Sequence, residues 1–205
     1  MNRREFTSAL ALSIIPAMGG SFAFAQDAET APMTGITEMV LGSPEAPIEI
    51  IEYASYTCPH CANFHTSTFQ KIKENYIDTG KVRFVYREVY FDRYGLWASM
   101  VARCGGEERF FAITETLYNN QKTWATGEPT EIAENLRKIG LVDGLDKDAL
   151  DACLADGEQA EALVAWFQEN ATRDEITGTP SFMINGKKFE NATYQEFADH
   201  LDGLL

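Results

Sequence analysis

The feature that most constrains the fold is an apolar segment that leads directly to a pair of cysteines. Residues 48–54 are almost continuously apolar, as in a strand that is covered on both faces of a sheet. The run Cys58-Pro59-His60-Cys61 follows, and large apolar residues then recur at helical spacing at Phe64, Phe69, Ile72 and Tyr76. The sequence therefore predicts a strand, a tight turn and a helix whose first turn carries both cysteines.

A second strand is predicted one helix further along the chain. Residues 82–89 are rich in β-branched and aromatic side chains, and Thr79-Gly80 before them supplies a turn. Two strands joined by a helix form a right-handed unit with parallel strands. This pattern indicates an α/β domain.

The middle of the chain has a different character. Between Tyr94 and Glu175 helix-forming residues dominate, and four or five helices with no strand are expected. The breaks between them are predicted at Gly105-Gly106, Gly127 to Pro129, Gly140 and Gly157. We therefore interpret residues 94–174 as a helical insertion in an α/β domain that comprises residues 36–93 and 175–205.

Strand patterns return after the insertion. Residues 181–184 form one predicted strand, and Lys188-Phe189 form a second after a turn at Asn185-Gly186. Thr193 is expected to cap a last helix that reaches Leu204, with Glu196 completing a capping box.

The first 25 residues have the pattern of a secretory signal peptide. Arg3 and Arg4 precede an uncharged apolar run, and Ala23-Phe24-Ala25 supplies small residues for cleavage. The paired arginines also resemble a twin-arginine signal, so the export route stays open. Residues 26–35 are small and polar without periodicity, which is typical of a flexible segment.

The formal net charge of −14 limits the choice of partners. Such an acidic surface repels phosphate backbones and anionic lipid head groups, so neither nucleic acid nor a membrane surface is an expected partner. After the leader no apolar stretch is long enough to span a bilayer, and no stable membrane insertion is expected.

All four cysteines follow the leader, and an even count in an exported chain is compatible with two disulfides. Cys58 and Cys61 are so close in sequence that they are expected to pair with each other. That leaves Cys104 and Cys153 for a structural disulfide within the helical insertion. Two buried free thiols are the alternative.

A pair of cysteines with two residues between them can serve zinc, haem or redox chemistry. Structural zinc usually requires a second such pair, and the other two cysteines of this chain are single and distant. Covalent haem attachment needs a histidine directly after the second cysteine, and this chain has Ala62 there. A thiol at a helix N-terminus faces unpaired N–H groups and the positive end of the helix dipole, which both favour the thiolate. We therefore expect Cys58 to be the nucleophile and Cys61 the resolving thiol, with no metal and no cofactor.

Three nearby residues allow two interpretations each. His60 is either merely exposed or stabilises the Cys58 thiolate, which would make the disulfide a stronger oxidant. Glu52 is either a strand-edge residue that reaches solvent or a proton acceptor beneath the cysteine pair. His65 shares a helix face with Cys61, and we expect it to serve packing rather than chemistry.

Thr179-Pro180 directly precedes the third strand of the domain. A trans bond is the ordinary case for proline. A cis bond would instead direct this end of the strand toward the cysteines and leave the backbone of Thr179 free to bind an extended substrate peptide.

Taken together these motifs resemble the DsbA family of periplasmic dithiol oxidases over residues 40–204. The resemblance rests on the cysteine run after Ile51-Glu52-Tyr53, on Trp97-Ala98 at the start of the insertion, and on Thr179-Pro180 before the residues 182–186. It implies a thioredoxin-like fold with an inserted all-helical domain, a cis bond before Pro180 and a buried acidic role for Glu52. Thr179 is a departure, since the best-known family oxidases carry valine there and threonine is commoner in isomerases and reductases.

The resemblance implies that the protein oxidises reduced, newly exported polypeptides in the periplasm. It also implies re-oxidation by a quinone-linked membrane partner of the DsbB type. An isomerase or reductase is the alternative, but isomerases usually dimerise, and residues 26–36 are too few for a dimerisation domain, so a monomer is expected. A non-catalytic chaperone is a third hypothesis, although a binding protein has no need of both cysteines.

Overall fold

The computed structural model describes residues 35–205, and within them five strands form one mixed sheet in the order β1-β3-β2-β4-β5. The strands are β1 (Met39–Leu41), β2 (Ile48–Ala54), β3 (Val82–Glu88), β4 (Ser181–Ile184) and β5 (Lys187–Phe189). The expected signal peptide over residues 1–25 and nearly all of the expected flexible segment lie outside the described residues.

Strand β2 lies at the centre of the sheet. It runs parallel to β3, with Ile50 opposite Phe84, and antiparallel to β4, with Ile51 opposite Met183. The two-strand parallel unit predicted from the sequence is therefore confirmed. The short strand β1, which the sequence did not indicate, extends the sheet by pairing antiparallel to β3.

The helix that follows β2 runs without interruption from residue 59 to residue 77, and we call it the cysteine helix. It alternates between α-helical and π-helical geometry in the segments Pro59–Phe64 (α1), His65–Phe69 (π), Gln70–Ile72 (α2) and Lys73–Ile77 (π). A π turn accommodates one extra residue. This explains why Phe64 and Phe69 are both buried although they are five residues apart.

Six helices fill the connection between β3 and β4. They are α3 (Arg93–Cys104), α4 (Gly106–Asn119), α5 (Gln121–Trp124), α6 (Pro129–Val142), α7 (Lys147–Ala155) and α8 (Gly157–Arg173). The expectation of four or five helices was too low because one break, at Asn120, carries no glycine. Gly140, which we expected to end a helix, lies inside α6, where a Cβ atom would stand 2.9 Å from Leu150. It is a packing residue and not a helix breaker.

The inserted helices share one hydrophobic core with the sheet. Phe110, Ile113 and Leu117 of α4 belong to the same buried cluster as Phe84 and Tyr86 of β3. This shared core fixes the insertion against the face of the sheet that carries the cysteine helix.

Two further links hold α3 in place. Arg103 donates from Nε to one carboxylate oxygen of Glu88 at 2.6 Å and from Nη2 to the other at 2.7 Å, and both side chains are buried. Cys104 and Cys153 form a disulfide bond with Cα atoms 5.9 Å apart, which joins α3 to α7.

The last helix, α9 (Tyr194–Asp202), begins as expected with the capping box of Thr193 and Glu196. It ends at Asp202, two residues before the predicted end. Across residues 35–205 no helix is both long enough and apolar enough to cross a membrane.

Candidate active site

The two neighbouring cysteines occupy different environments at the start of the cysteine helix. Cys58 is the N-cap residue, with extended backbone angles and a half-buried side chain, whereas Cys61 lies in the first turn and is fully buried. Pro59 takes the first helical position, where its missing N–H breaks no hydrogen bond.

The surroundings of Cys58 favour the thiolate. The largest effect is a hydrogen bond from the Cys61 thiol, which lowers the pKa of Cys58. Partial burial acts in the opposite direction and raises this pKa. The side chain of Thr179 and the backbone N–H groups of Cys61 and His60 lower the pKa further. The resulting pKa is about 5. The side chain of His60 is exposed, and this residue acts on Cys58 through its backbone N–H group.

The surroundings of Cys61 have the opposite effect. Burial raises its pKa far above the ordinary range, and the hydrogen bond to Cys58 and the negative charge of Glu52 act in the same direction. The pair is therefore asymmetric, with an acidic sulfur that solvent can reach and a neutral sulfur beneath it.

The loop before β4 lies against the half-buried cysteine. The peptide bond between Thr179 and Pro180 is cis, and the Sγ atom of Cys58 lies 3.4 Å from the carbonyl oxygen of Thr179. Pro180 is buried, while Thr179 is partly exposed. The structure thus brings both predicted loop residues to the cysteine pair.

Glu52 and His65 form a buried pair beneath the cysteines. Glu52 is completely buried, so the strand-edge interpretation was wrong: β2 is the central strand and its side chains do not reach solvent at this point. The Nε2 atom of His65 lies 2.8 Å from Oε2 of Glu52, and His65 is also buried. His65 packs among aromatic rings, as expected, and its ring also makes this direct polar contact with Glu52.

Two residues that the sequence analysis did not select hold the cysteine turn in place. Gln121 of α5 donates from Nε2 to the carbonyl oxygens of Tyr56, at 2.8 Å, and of Cys58, at 2.9 Å. Asp92 accepts a hydrogen bond from Thr57 and caps α3 at the same time. Asp92 had a recognisable signal, as an N-cap residue before a helix. Gln121 had none.

A metal centre is not formed by the described part of the chain, which contains no cluster of three or more histidine, cysteine, aspartate or glutamate side chains that could hold an ion. The polar groups that surround the two sulfurs are instead a hydroxyl group, backbone groups and one carboxylate.

Comparison with known proteins agrees with this geometry. A family model described as thioredoxin matches residues 34–203. The crystal structure of alpha-DsbA1 from Wolbachia pipientis superposes with a TM-score of 0.75 at 32% identity, covering 82% of this chain and 90% of that one.

Two curated proteins extend the comparison. A Rickettsia bellii protein, provisionally named a protein-disulfide oxidoreductase, is 34% identical over 169 residues, which are 82% of this chain and 64% of that protein. Disulfide bond formation protein D of Bacillus subtilis is 28% identical over 182 residues, covering 81% of this chain and 76% of that protein. The chain thus spans less than two thirds of the Rickettsia protein. With its thioredoxin-like sheet, its helical insertion and its match over nine tenths of alpha-DsbA1, the chain belongs to the DsbA proteins of the thioredoxin family.

Proposed function

We propose that the protein is an exported thiol-disulfide oxidoreductase that introduces disulfide bonds into polypeptides through Cys58 and Cys61. The observation that carries this proposal is the asymmetry of the two thiols, and above all the pKa of about 5 for Cys58. A stabilised thiolate stabilises the reduced enzyme, so the disulfide between the two cysteines becomes a stronger oxidant.

The exchange proceeds in two steps. A substrate thiolate attacks Sγ of Cys58, the bond between Cys58 and Cys61 breaks, and the electron pair moves to Sγ of Cys61, which takes up a proton. A second substrate thiolate then attacks the substrate sulfur of this mixed disulfide, and Cys58 leaves as a thiolate. A sulfur of low pKa is a good leaving group, so the second step favours release of the oxidised substrate.

The loop before β4 is the proposed binding site for the substrate chain. Thr179 carries its carbonyl oxygen next to Cys58, and a strand end with free backbone groups can pair with an extended peptide. Pro180 has no N–H group and fixes the loop beside the sulfur. Main-chain pairing of this kind would accept many sequences, as an oxidase of diverse polypeptides requires.

Glu52 is the proposed proton acceptor and donor for Cys61. It is buried beneath the pair, and its charge raises the pKa of Cys61. A carboxyl group in this position can give the proton that neutralises Cys61 when the disulfide opens, and can take it back when the disulfide forms again. His60 is proposed to contribute through its backbone N–H group.

The names of the relatives support a role in disulfide chemistry. We propose a periplasmic location, reduced exported polypeptides as substrates, a quinone-linked membrane oxidase of the DsbB type as the source of oxidising equivalents, and action as a monomer. An isomerase is the second candidate, and Thr179 is the observation that favours it.

One comparison separates the two candidates. The purified oxidised enzyme receives a reduced substrate with several cysteines and, in a second reaction, the reduced enzyme receives the same substrate with scrambled disulfides. An oxidase forms disulfides rapidly in the first reaction and rescues little in the second. Efficient rescue of the scrambled substrate together with poor oxidation of the reduced one would replace the oxidase by an isomerase.

A further inference from the structure

The pair formed by Glu52 and His65 is only half satisfied by hydrogen bonds. Glu52 is completely buried, and its Oε2 atom contacts Nε2 of His65 at 2.8 Å. Its other oxygen, Oε1, has no hydrogen-bond partner. A buried carboxylate oxygen without a hydrogen bond is costly for stability. Its presence here therefore points to a role other than stabilising the fold.

His65 is the link between this carboxylate and the exterior. His65 is among the residues that line a cavity of about 210 Å³ between the cysteine helix and α4, whereas Glu52 is not. Lys73 and Glu115 also line the cavity. His65 therefore contacts the carboxylate and also borders the cavity.

The other titratable neighbours of the pair are poor sources of a proton. Tyr86 of β3 packs edge-on to the His65 ring at 5.7 Å, and Tyr118 of α4 stacks on it at 4.3 Å between centroids. Burial raises the pKa of both phenols, and their hydroxyl groups bond to each other at 2.6 Å. Among the described residues, His65 is therefore the titratable group that hydrogen-bonds to Glu52.

We propose that His65 passes protons between the cavity and Glu52, and thereby supplies Cys61 with its proton when the disulfide opens. When a thiolate attacks Cys58, the S–S bond breaks and its electron pair goes to Cys61. Cys61 takes a proton from Glu52, Glu52 takes one from Nε2 of His65, and His65 is re-protonated from solvent at the cavity. When the disulfide forms again, one proton moves along the same path in the opposite direction.

His65 touches neither sulfur, so it is a positioning residue that acts through Glu52. The inference depends on the proposed function only in requiring that Cys58 and Cys61 cycle between disulfide and dithiol. A histidine is suited to the relay because an imidazole ring can both accept and donate a proton and carries two nitrogens on different sides. Stacking between Tyr86 and Tyr118 alone would be served equally well by an apolar aromatic ring.

The test measures how fast dithiothreitol reduces the oxidised enzyme as a function of pH, using acid quenching and alkylation, with rates corrected for the thiolate fraction of the reagent. The variants are His65→Gln, which keeps a hydrogen-bond donor for Glu52, and His65→Ala, which enlarges the cavity. His200→Gln is the matched control, because His200 lies on α9 and packs on Phe189.

We expect His65→Gln to slow reduction by at least about tenfold at neutral pH, which is less than the roughly hundredfold or more of a direct general acid or base because His65 acts through Glu52. His200→Gln should match the wild type over the whole pH range. Added imidazole should restore the rate of His65→Ala, whereas pyrrole, which has the same ring size but no basic nitrogen, should not.

Equal rates for His65→Gln and the wild type would overturn the relay, and so would equal rescue of His65→Ala by imidazole and pyrrole, which would show that the ring serves packing. If His65→Ala does not fold, the comparison of His65→Gln with the wild type still decides. Dithiothreitol needs no protein substrate, so failure of the oxidase proposal would appear in the polypeptide assay while the imidazole dependence of this reaction stays intact.

Discussion

The Sγ atom of Cys58 lies 3.4 Å from the carbonyl oxygen of Thr179, a residue 121 positions further along the chain. The central strand β2 is responsible for this proximity. It ends at the cysteine turn, and it pairs with β4, which begins directly after Pro180. The sheet therefore places the sulfur and the backbone of the proposed substrate-binding loop side by side.

The redox equilibrium with glutathione should depend on pH in a defined window. The pKa of Cys58 is lowered from its ordinary value of 9.0 to about 5. Between about pH 5 and pH 9, Cys58 of the reduced enzyme is therefore a thiolate, whereas an ordinary thiol still carries its proton. Raising the pH through this window therefore favours the reduced enzyme, by about tenfold in the equilibrium constant per pH unit.

The same sign holds for stability. The contribution of Cys58 to the stability of the reduced protein is complete above the unfolded pKa and is lost as the pH falls through about 5. Equilibration in glutathione buffers from acid to mildly alkaline pH, followed by alkylation, measures the redox dependence. An equilibrium constant that does not change across the window would contradict the assigned pKa.

Replacing Gln121 by leucine should loosen the cysteine turn. Gln121 is buried and supplies hydrogen bonds to the carbonyl oxygens of Tyr56 and Cys58, which the variant would leave without this donor. Leaving buried acceptors unsatisfied costs about 1–3 kcal/mol, which denaturant unfolding can resolve. Gln168→Leu, at an exposed position of α8, should change stability by less than about 0.5 kcal/mol. Similar effects of the two variants would remove the assigned role of Gln121.

The buried ion pair between Glu88 and Arg103 predicts a non-additive result. Arg103→Met leaves the Glu88 carboxylate buried without its partner, which costs roughly 3–5 kcal/mol of unfolding free energy. Changing Glu88 to methionine as well removes the unpaired charge, so the double variant should be more stable than Arg103→Met alone. Simple addition of the two single effects would show that the pair is not coupled.

The disulfide between Cys104 and Cys153 should stabilise the fold. It closes a loop with a sequence separation of 49 residues. In the chain-entropy model a loop of this length is worth roughly 4 kcal/mol, which Cys104→Ala/Cys153→Ala should lose in denaturant unfolding with the other pair held oxidised. Recovery of both cysteines as free thiols from the unreduced wild-type protein would contradict the bond itself.

Much of the fold could be predicted from local pattern. The bounds of β2 and β4 follow from largely apolar segments, and the cap of α9 follows from Thr193 and Glu196. The break at Asn120 and the internal position of Gly140 could not be predicted, since a glycine that ends a helix and a glycine that admits Leu150 look alike in sequence.

The residues of the candidate site were also predictable only in part. Cys58, Cys61 and Pro180 belong to short motifs with a physical signature, so they could be selected from sequence. The contact between Glu52 and His65 depends on which helix face meets the centre of β2 and on the π turn that begins at His65. Gln121 acts through tertiary contact alone. Such contacts have no local signal.

Titration of Cys58 in the reduced protein tests directly whether the start of the cysteine helix holds this residue as a thiolate. The rate of alkylation of Cys58, followed by mass spectrometry of the labelled peptide, reports its thiolate fraction at each pH. We expect a midpoint at about pH 5, with Cys61 unlabelled throughout the same range. A midpoint near 9, or preferential labelling of Cys61, would show that the helix start does not hold Cys58 as the reactive thiolate.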